Sequence, residues 1–344
     1  MAAQARSSAL LPQVTLAGPM PRIFVTQPIP DAPLSRLRRV ADVQVFPDSS
    51  RILPYEELLR AVAACDILYC LLHDRVDKAV VDAGERLKLI ATSAVTPSNI
   101  DVGAATSRNI PVTVVSNIVV EETADLQWGL LLAAARRIPR AEAALRTGVF
   151  PGAQSMFLAG SRVHGKTLGT IGLGAIGRSI VRRARGFGMR ILYTKRTRLS
   201  PQDEVALAVA FRPLHDLLRE SDFVCVNANY HPGTRHLLGG DELKLLKPTA
   251  FLINTARGPI VDERALADAL KARALMGAGL DVYEHEPRVH PDLFALENVV
   301  LTPHIGTATR EMREELASMV VRNILAFMEG ARPPNLYNPE VFTQ

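Results

Sequence analysis

The stretch that decides the fold is TLGTIGLGAIGRSIVRRARGFGMRILYTKRTR, residues 167–198. An apolar strand pattern is followed by glycines at Gly172, Gly174 and Gly177, then by a helical pattern and a second strand pattern. In such a unit the first glycine permits the tight turn, the second lets the main chain approach a pyrophosphate, and the third allows close helix–strand contact. The stretch therefore predicts a dinucleotide-binding βαβ unit whose helix N-terminus faces the phosphates.

A second glycine pattern overlaps the start of this stretch. GSRVHGKT, residues 160–167, matches the phosphate-binding loop of nucleotide hydrolases. That loop has to follow a strand and open a helix, so that the helix N-terminus faces the phosphates. Here the lysine instead precedes the apolar strand pattern TLGTI. We therefore interpret this match as coincidental.

Cations follow the second strand pattern, where NAD-binding proteins usually have an acidic residue. That acid lies about twenty residues beyond the first glycine and bonds the ribose hydroxyls. This chain has Thr194, Lys195, Arg196 and Arg198 there instead. A carboxylate would repel a 2′-phosphate, whereas ammonium and guanidinium groups attract it, so the turn predicts a preference for NADP(H) over NAD(H). The alternative is an exposed basic turn without a ligand, and catalytic efficiency with NADPH and NADH distinguishes the two.

Short apolar runs alternate with helical patterns along the rest of the chain, which is typical of α/β proteins with buried parallel strands. At 344 residues the chain is long enough for two domains. A helical pattern from Glu121 to Arg137 separates five strand patterns from six later ones and predicts the domain boundary. The segment after it, 138–165, is predicted to be irregular, either as an arm that packs on a partner subunit or as a surface loop.

Composition excludes several classes of protein. The net charge is +5, but the cations are spread along the chain rather than concentrated in a stripe, which argues against a nucleic-acid-binding protein. The three cysteines form no C-x-x-C pair, which argues against a disulfide framework or structural zinc and favours a reducing compartment, the cytoplasm. No apolar run is long enough to span a bilayer, so no membrane association is expected. Residues 1–20 are either a targeting segment or an N-terminal extension.

Three candidate catalytic residues follow later strand patterns. Arg257 lies in LINTARGPIVDE, Glu286 in AGLDVYEHEP and His304 in VVLTPHIG. The carboxyl ends of strands in a doubly wound sheet face the ligand crevice, so we expect these residues to converge near a nicotinamide. An imidazole titrates near neutrality and suits donation of a proton to a carbonyl oxygen. A neighbouring glutamate would favour the charged imidazolium and fix its orientation, and an arginine would hold a substrate carboxylate and polarise its carbonyl.

Four motifs together, GKTLGTIGLGAIGR, FLINTARGPIVDERAL, AGLDVYEHEP and NVVLTPHIGTAT, resemble the D-isomer-specific 2-hydroxyacid dehydrogenase family. The resemblance runs from about residue 22 to 335. Among family members, the chain is similar to the glyoxylate and hydroxypyruvate reductases. The resemblance implies an α/β fold with two doubly wound parallel-sheet domains. A Rossmann dinucleotide domain at 121–307 would be inserted into a flavodoxin-like substrate domain made of 21–120 and 308–344. It also implies a homodimer that requires no metal.

The resemblance assigns roles to individual residues. Arg257, Glu286 and His304 would take the family's arginine, glutamate and histidine roles. Besides the three glycines and the cationic turn, it implies cofactor contacts from ten further residues: Thr123, Leu173, Ala175, Ile176, Asn229, Thr234, Thr255, Ala256, Asp281 and Gly306. Asn229 replaces a proline that relatives often have.

The expected substrate loop departs from the family. The family pattern resembles S-V-G-Y-D-N-I-D, whereas this chain has SAVTPSNID, with Val95 at the valine position and Thr96 at the glycine position. The resemblance implies that main-chain N–H groups of this loop, with Arg257, hold the substrate carboxylate. Threonine in place of glycine, next to Pro97, makes the loop stiffer, and the sequence leaves open which size of substrate it accepts.

These observations predict an NADP(H)-preferring cytoplasmic reductase that converts small 2-oxo acids such as glyoxylate and hydroxypyruvate to 2-hydroxy acids. One alternative is a reductase of a larger sugar-derived 2-oxo acid such as 2-ketogluconate, because of the altered loop. Another is a dinucleotide-sensing corepressor that binds partner proteins and retains similar site residues. NADPH consumption with a panel of 2-oxo acids distinguishes the enzymes from the sensor.

Overall fold

The computed structural model describes residues 20–116 and 118–342. The chain forms two compact units, one made of residues up to Ser116 together with those from Arg313 onward, and the other ending at Met312. The sequence expectation puts these junctions at 120/121 and 307/308. Residues 1–19, which include most of the expected targeting segment or extension, lie outside the described residues.

The first unit is built on five parallel strands. Its sheet has the order β2-β1-β3-β4-β5, in which β3 and β4 are completely buried because helices cover both faces. Its elements up to the junction are β1 (Arg22–Val25), α1 (Asp31–Arg38), β2 (Asp42–Val45), α2 (Tyr55–Ala64), β3 (Ile67–Cys70), α3 (Lys78–Ala83), β4 (Leu89–Thr92), α4 (Val102–Ser107) and β5 (Val112–Thr113).

The second unit is built on seven parallel strands in the order β12-β11-β10-β9-β6-β7-β8. Its elements are α5 (Val120–Arg136), α6 (Ile138–Arg146), β6 (Thr167–Ile171), α7 (Ala175–Gly186), β7 (Arg190–Thr194), α8 (Pro201–Leu207), β8 (Ala210–Phe211), α9 (Leu214–Glu220), β9 (Phe223–Val226), α10 (Gly240–Leu243), β10 (Phe251–Asn254), α11 (Glu263–Lys271), β11 (Gly277–Leu280), α12 (Pro291–Phe294) and β12 (Val299–Leu301). From β6 the chain adds β7 and β8 on one side, and then returns to add β9 to β12 on the other side. The strand order therefore reverses between β6 and β9, and ligands of doubly wound sheets bind at the carboxyl ends of the strands at such a point.

The last helix, α13 (Arg310–Met328), leads back to the first sheet. The main-chain N–H of Val112 in β5 donates to Oδ1 of Asn338 at 2.7 Å, and the N–H of Tyr337 donates to the Val112 carbonyl at 2.8 Å. The Asn323 amide of α13 donates to the Val114 carbonyl at 3.0 Å. The C-terminal segment therefore satisfies the outer edge of β5, which would otherwise expose unpaired main-chain groups.

Alternate residues of the central strands belong to two different cores. Phe223 of β9 packs in a cluster that includes Leu131 of α5, whereas the next residue, Val224, packs in a cluster that includes Leu270 of α11. Successive side chains of a strand point to opposite faces, so both faces of the sheet are covered by helices. Each fully buried leucine of these clusters contributes about 1.5–3 kcal/mol. This arrangement confirms the predicted α/β class with doubly wound parallel sheets.

The segment after the long helix differs from its predicted irregular structure. Arg137 ends α5 in a left-handed conformation, with φ of 54°, and α6 begins at the next residue. Pro139 occupies the first turn of α6, where its missing N–H costs no hydrogen bond. The sequence analysis predicted irregular structure for 138–165, whereas residues 138–146 form a helix that this proline helps to start. Throughout the described part of the chain, every helix is too short or too polar to cross a membrane.

Candidate active site

The glycine turn connects β6 to the N-terminus of α7. Gly172 has φ of +95°, and a Cβ there would lie 2.4 Å from the Asn227 carbonyl oxygen. A Cβ at Gly177 would lie 2.6 Å from the Gly172 carbonyl oxygen, so both positions require glycine. A Cβ at Gly174, in contrast, would meet no described atom within 4 Å. The main chain at Gly174 is therefore open to a close ligand, beside a helix N-terminus that attracts phosphate.

The rest of the turn is divided between the core and the open side. Leu173 is 2% exposed and packs in the core with α5, which anchors the turn. Ala175 is exposed and Ile176 is partly exposed. Buried positions at Leu173 and Gly177 flank this open stretch, so the main chain at 174–176 is the surface that would hold a pyrophosphate.

The cationic turn after β7 contains two different kinds of cation. Arg198 donates to both carboxylate oxygens of Glu204, at 2.8 and 2.9 Å, and lies over the Phe211 ring. Tyr193 also donates to Glu204, at 2.7 Å. The hydrogen bonds from Arg198 and Tyr193 lower the pKa of Glu204 to about 2. Arg198 therefore shapes the turn.

Lys195 and Arg196 differ from Arg198 because they have no ion-pair partner among residues 20–116 and 118–342. Arg196 is exposed, Lys195 is partly exposed, and Thr194 ends β7, where its carbonyl accepts from the N–H of Gly172 at 2.8 Å. That bond places the start of the cationic turn directly beside the glycine turn. These two cations remain available to a phosphate next to the turn that would hold a dinucleotide.

Two further strand ends carry predicted cofactor residues. After β9, the Thr234 hydroxyl donates to the Asn229 carbonyl at 2.9 Å and closes a short exposed turn. After β10, Thr255 is 7% exposed and its hydroxyl accepts from the Gln127 amide at 2.9 Å. Gln127 also donates to the Val226 carbonyl at 3.2 Å, so one buried side chain of α5 joins the ends of β9 and β10.

Arg257 lies on the turn that follows β10. Its side chain is exposed, and Nη1 donates to the Ala256 carbonyl at 2.7 Å. The buried Asn254 braces this turn, because its Oδ1 accepts from the Ala256 N–H and its Nδ2 donates to the Arg257 carbonyl, at 3.0 and 3.2 Å. A Cβ at Gly258 would lie 1.9 Å from the carbonyl carbon and oxygen of Tyr283. The turn with Arg257 therefore packs directly against the segment that leads to Glu286.

Glu286 and His304 form a hydrogen-bonded pair. Nδ1 of His304 lies 2.7 Å from Oε2 of Glu286. The His304 side chain is 22% exposed and the Glu286 side chain 19%. Oε1 of Glu286 accepts from the Tyr283 N–H at 3.0 Å, which fixes the carboxylate. His304 has φ of 53°, a left-handed conformation that is uncommon outside glycine.

Asp281 holds the loop that carries His304. It is 1% exposed and accepts from the Thr302 hydroxyl at 2.7 Å and from the N–H groups of Ile305 and Gly306 at 2.8 and 2.9 Å. Burial raises the pKa of its carboxyl group, which these hydrogen bonds partly offset. A Cβ at Gly306 would lie 3.3 Å from Asp281 and 3.7 Å from the Thr123 hydroxyl. Three of the predicted cofactor residues are therefore adjacent, and Asp281 is occupied in positioning this loop.

The predicted substrate residues Val95 and Thr96 lie in the first unit, in the loop after β4. Val95 is partly exposed and Thr96 is exposed. The buried Ala94 fixes the loop, because its N–H donates to the Thr92 hydroxyl at 3.2 Å and its carbonyl accepts from Val115 at 3.1 Å. The loop thus presents two outward-facing residues on a fixed base.

The sequence prediction missed two positioning residues, Gln127 and Asn254. Both are buried polar side chains, at 0% and 1% exposure, and both bond main-chain or hydroxyl groups next to predicted site residues. The signal for Gln127 was a polar residue within the apolar face of a long helix. Such a residue has to find hydrogen-bond partners when it is buried.

The model of one protein family, described as D-isomer specific 2-hydroxyacid dehydrogenase, NAD binding domain, matches residues 128–306. The chain belongs to this family. It is accordingly an NAD(P)-dependent 2-hydroxyacid oxidoreductase, as the resemblance of the four motifs implied, and it uses a nicotinamide dinucleotide. The match includes the glycine turn, the cationic turn, Arg257, Glu286 and His304.

Relatives cover nearly the whole chain of this dehydrogenase. It is 46% identical over 326 residues to a glyoxylate reductase of Thermococcus gammatolerans, covering 93% of this chain and 97% of that one. A crystal structure of a Thermus thermophilus protein is 41% identical, with a TM-score of 0.84, and covers 92% of this chain and 99% of that one. A crystal structure of a glyoxylate reductase from Paecilomyes thermophila is 31% identical, with a TM-score of 0.76, and covers 94% of this chain and 100% of that one.

Proposed function

We propose that this dehydrogenase is an NADP(H)-preferring reductase of small 2-oxo acids, glyoxylate and hydroxypyruvate, with His304 as the proton donor. The observation that carries the proposal is the contact of 2.7 Å between His304 and Glu286 in the unit that also contains the glycine turn. The glyoxylate reductases among its relatives, with 46% identity in one case, support the substrate class.

The site residues fit the chemistry of ketone reduction. When bound, a reduced nicotinamide supplies the hydride that adds to C2 of the 2-oxo acid. Because Nδ1 of His304 lies against Glu286, donation of the proton to the carbonyl oxygen falls to Nε2. The carboxylate of Glu286 stabilises the imidazolium before transfer and holds the ring orientation. The exposed guanidinium of Arg257 binds the substrate carboxylate and polarises the carbonyl.

The proposed cofactor contacts divide into two groups. The main chain at Gly172–Gly177 and the N-terminus of α7 hold the pyrophosphate, and Lys195 and Arg196 bind the 2′-phosphate. Support comes from the open space at Gly174 and from two cations, without an ion-pair partner in the described chain, where an acid would favour NAD(H). Arg198, which sequence reasoning grouped with them, acts through Glu204. The remaining contacts come from Thr123 of α5 and from residues that follow strands: Asn229, Thr234, Thr255, Ala256 and Gly306.

The loop after β4 is proposed to bind the substrate carboxylate through main-chain N–H groups at Val95 and Thr96. Both residues face outward from a loop whose base is fixed by Ala94. Thr96 replaces the family's glycine, so this loop sets the size of the substrate.

A homodimer is proposed because apolar side chains are concentrated on α6 and the segment after it. Every residue of α6 is exposed or partly exposed, and six large apolar residues between 138 and 157 are 41–79% exposed. So many exposed large apolar side chains within twenty residues favour a protein interface. We expect twice the monomer mass by light scattering, and a monomer after Phe150→Glu with Met156→Glu; an unmodified chain of monomer mass would contradict the dimer.

A cytoplasmic location is also proposed. All three cysteines are buried and free, and burial raises the pKa of the Cys65 and Cys225 thiols to about 12. Unpaired thiols are typical of reducing compartments. Cell fractionation tests this location, and recovery of the protein with an organelle would contradict it.

The decisive experiment measures NADPH oxidation by the purified protein with glyoxylate, hydroxypyruvate, pyruvate and 2-ketogluconate. We expect the highest kcat/KM with glyoxylate or hydroxypyruvate, and a lower value with NADH than with NADPH. His304→Ala should mainly lower kcat, by about 10²–10⁴-fold, whereas Arg257→Ala should also raise KM for the 2-oxo acid. A preference for 2-ketogluconate or NADH would overturn the corresponding assignment, and absence of turnover would overturn the enzyme's proposed substrate class.

A further inference from the structure

Glu263 is a nearly buried carboxylate that the mechanism above leaves without a role. It is the first residue of α11 and is 8% exposed. Capping of α11 does not require it, because the N-cap Asp262 accepts from the Ala265 N–H at 2.9 Å. Burial of a charged group is costly unless strong hydrogen bonds compensate. Glu263 therefore has to be explained by what its two oxygens bind.

Both oxygens bind the segment that carries Glu286. Oε2 of Glu263 accepts from the Glu284 N–H and Oε1 accepts from the His290 N–H, each at 2.6 Å. One carboxylate thus holds the segment 284–290 at both ends. Within that segment Glu286 reaches His304 at 2.7 Å, so the position of the acid–base pair depends on where the segment lies.

Neighbouring charged groups hold other parts of the same region. The Glu284 side chain binds Arg235 at 3.1 Å and His236 at 2.6 Å. Asp281 holds the loop of His304. The carboxylate of Glu263 differs from both, because it holds the two ends of 284–290 by their main-chain N–H groups.

We propose that Glu263 is a positioning residue for the proton donor: it fixes the segment 284–290 so that the Glu286 carboxylate meets His304. This inference rests on the proposed function, in which His304 is the acid. The chemistry requires a carboxylate, since both oxygens accept hydrogen bonds. A glutamine offers one acceptor and one N–H donor, so one of the two main-chain N–H groups would face another donor.

The test compares Glu263→Gln and Glu263→Asp with the unmodified protein across pH. In Glu263→Gln we expect kcat with glyoxylate to fall about tenfold, with KM for NADPH unchanged within about twofold. The pH profile of kcat/KM should also differ from that of the unmodified protein, because the Glu286 carboxylate no longer meets His304 in the same position. Glu263→Asp keeps both acceptor oxygens and should recover part of kcat and of the original pH profile.

Glu242→Gln is the matched control. Glu242 is a carboxylate of the short helix α10 that accepts one main-chain N–H, from Gly239 at 3.1 Å, and within the described chain it makes no bond to the Glu286 segment. We expect its kcat and pH profile to match those of the unmodified protein.

Four outcomes separate the possibilities. If Glu263→Gln and Glu263→Asp keep the unmodified kcat and pH profile, the positioning role is overturned. The same holds if Glu263→Gln lowers only the urea midpoint, or if Glu263→Asp, folded by circular dichroism, recovers no part of the kcat that Glu263→Gln loses. An unmodified protein that reduces no 2-oxo acid overturns the proposed function instead.

Discussion

Nδ1 of His304 lies 2.7 Å from Oε2 of Glu286, although the two residues are eighteen positions apart in the chain. Their loops follow neighbouring strands, β12 and β11, whose carboxyl ends share one edge of the sheet. Replacing Glu286 by Gln keeps a polar side chain but removes the negative charge beside Nδ1 of His304. We expect kcat/KM with glyoxylate to fall about 10–100-fold and its pH profile to change.

The measurement is a series of initial rates between about pH 5 and pH 9, a range that spans histidine titration. The Glu242→Gln control should reproduce the unmodified profile. A Glu286→Gln enzyme with an unmodified profile would show that the pair does not set the protonation of His304.

The backbone conformation of His304 is sterically unfavourable, because φ is 53° at a residue that has a Cβ. Glycine adopts this conformation without the steric penalty that alanine has. His304→Gly should therefore be more stable than His304→Ala by about 1 kcal/mol, although both lack the proposed proton donor. Urea unfolding of the two variants measures the difference. Equal stability would mean that the loop relaxes to another conformation when the imidazole is removed.

The two kinds of cation after β7 should respond differently to substitution. Arg196→Ala and Lys195→Ala remove the charges proposed to meet the 2′-phosphate, so we expect KM for NADPH to rise about tenfold while KM for NADH changes little. Arg198→Ala removes the ion-pair partner of Glu204, so it should also lower the urea concentration at the midpoint of unfolding. The control for a general loss of charge is Arg185→Ala. Arg185 is an exposed arginine of α7 whose side chain donates to the Ala206 carbonyl. Equal effects on NADPH and NADH would argue against 2′-phosphate recognition.

Glu204 gives a stability dependence on pH whose sign follows from its pKa. The folded-state pKa is about 2, below the ordinary value of 4.5, so the ionised carboxylate stabilises the folded protein above about pH 4.5. That stabilisation is lost as pH falls from about 4.5 towards 2. The Glu204→Gln variant lacks this stabilisation at every pH. The difference in urea midpoint between the two proteins should therefore shrink as pH decreases through this range, and a constant difference would contradict the ionised pair.

The fold was readable from the sequence because its signals are local. Gly172 has φ of +95°, a Cβ at Gly177 would clash with the same turn, and central strands such as ILYC of β3 and FVCV of β9 are continuous apolar runs. The candidate acid–base pair was also readable, since Glu286 and His304 follow strands that end at the same edge of a parallel sheet.

The interactions that the sequence did not reveal join separate segments. Arg198 looked equivalent to Lys195 and Arg196 because its partner, Glu204, lies on the following helix. The two N–H groups that Glu263 binds come 21 and 27 residues later in the chain. Periodicity identifies which positions are buried, but pairing between buried polar groups depends on the packed structure.

The bond between Val112 and Asn338 has a consequence for biosynthesis. These partners are 226 residues apart, so the ribosome completes every strand of the seven-stranded sheet before it makes the segment that borders β5. Nascent multidomain chains commonly fold from the N-terminus onward. Here the five-stranded unit waits for a segment that is synthesised after the inserted unit, so the inserted unit is the first of the two to have its whole sequence available for folding.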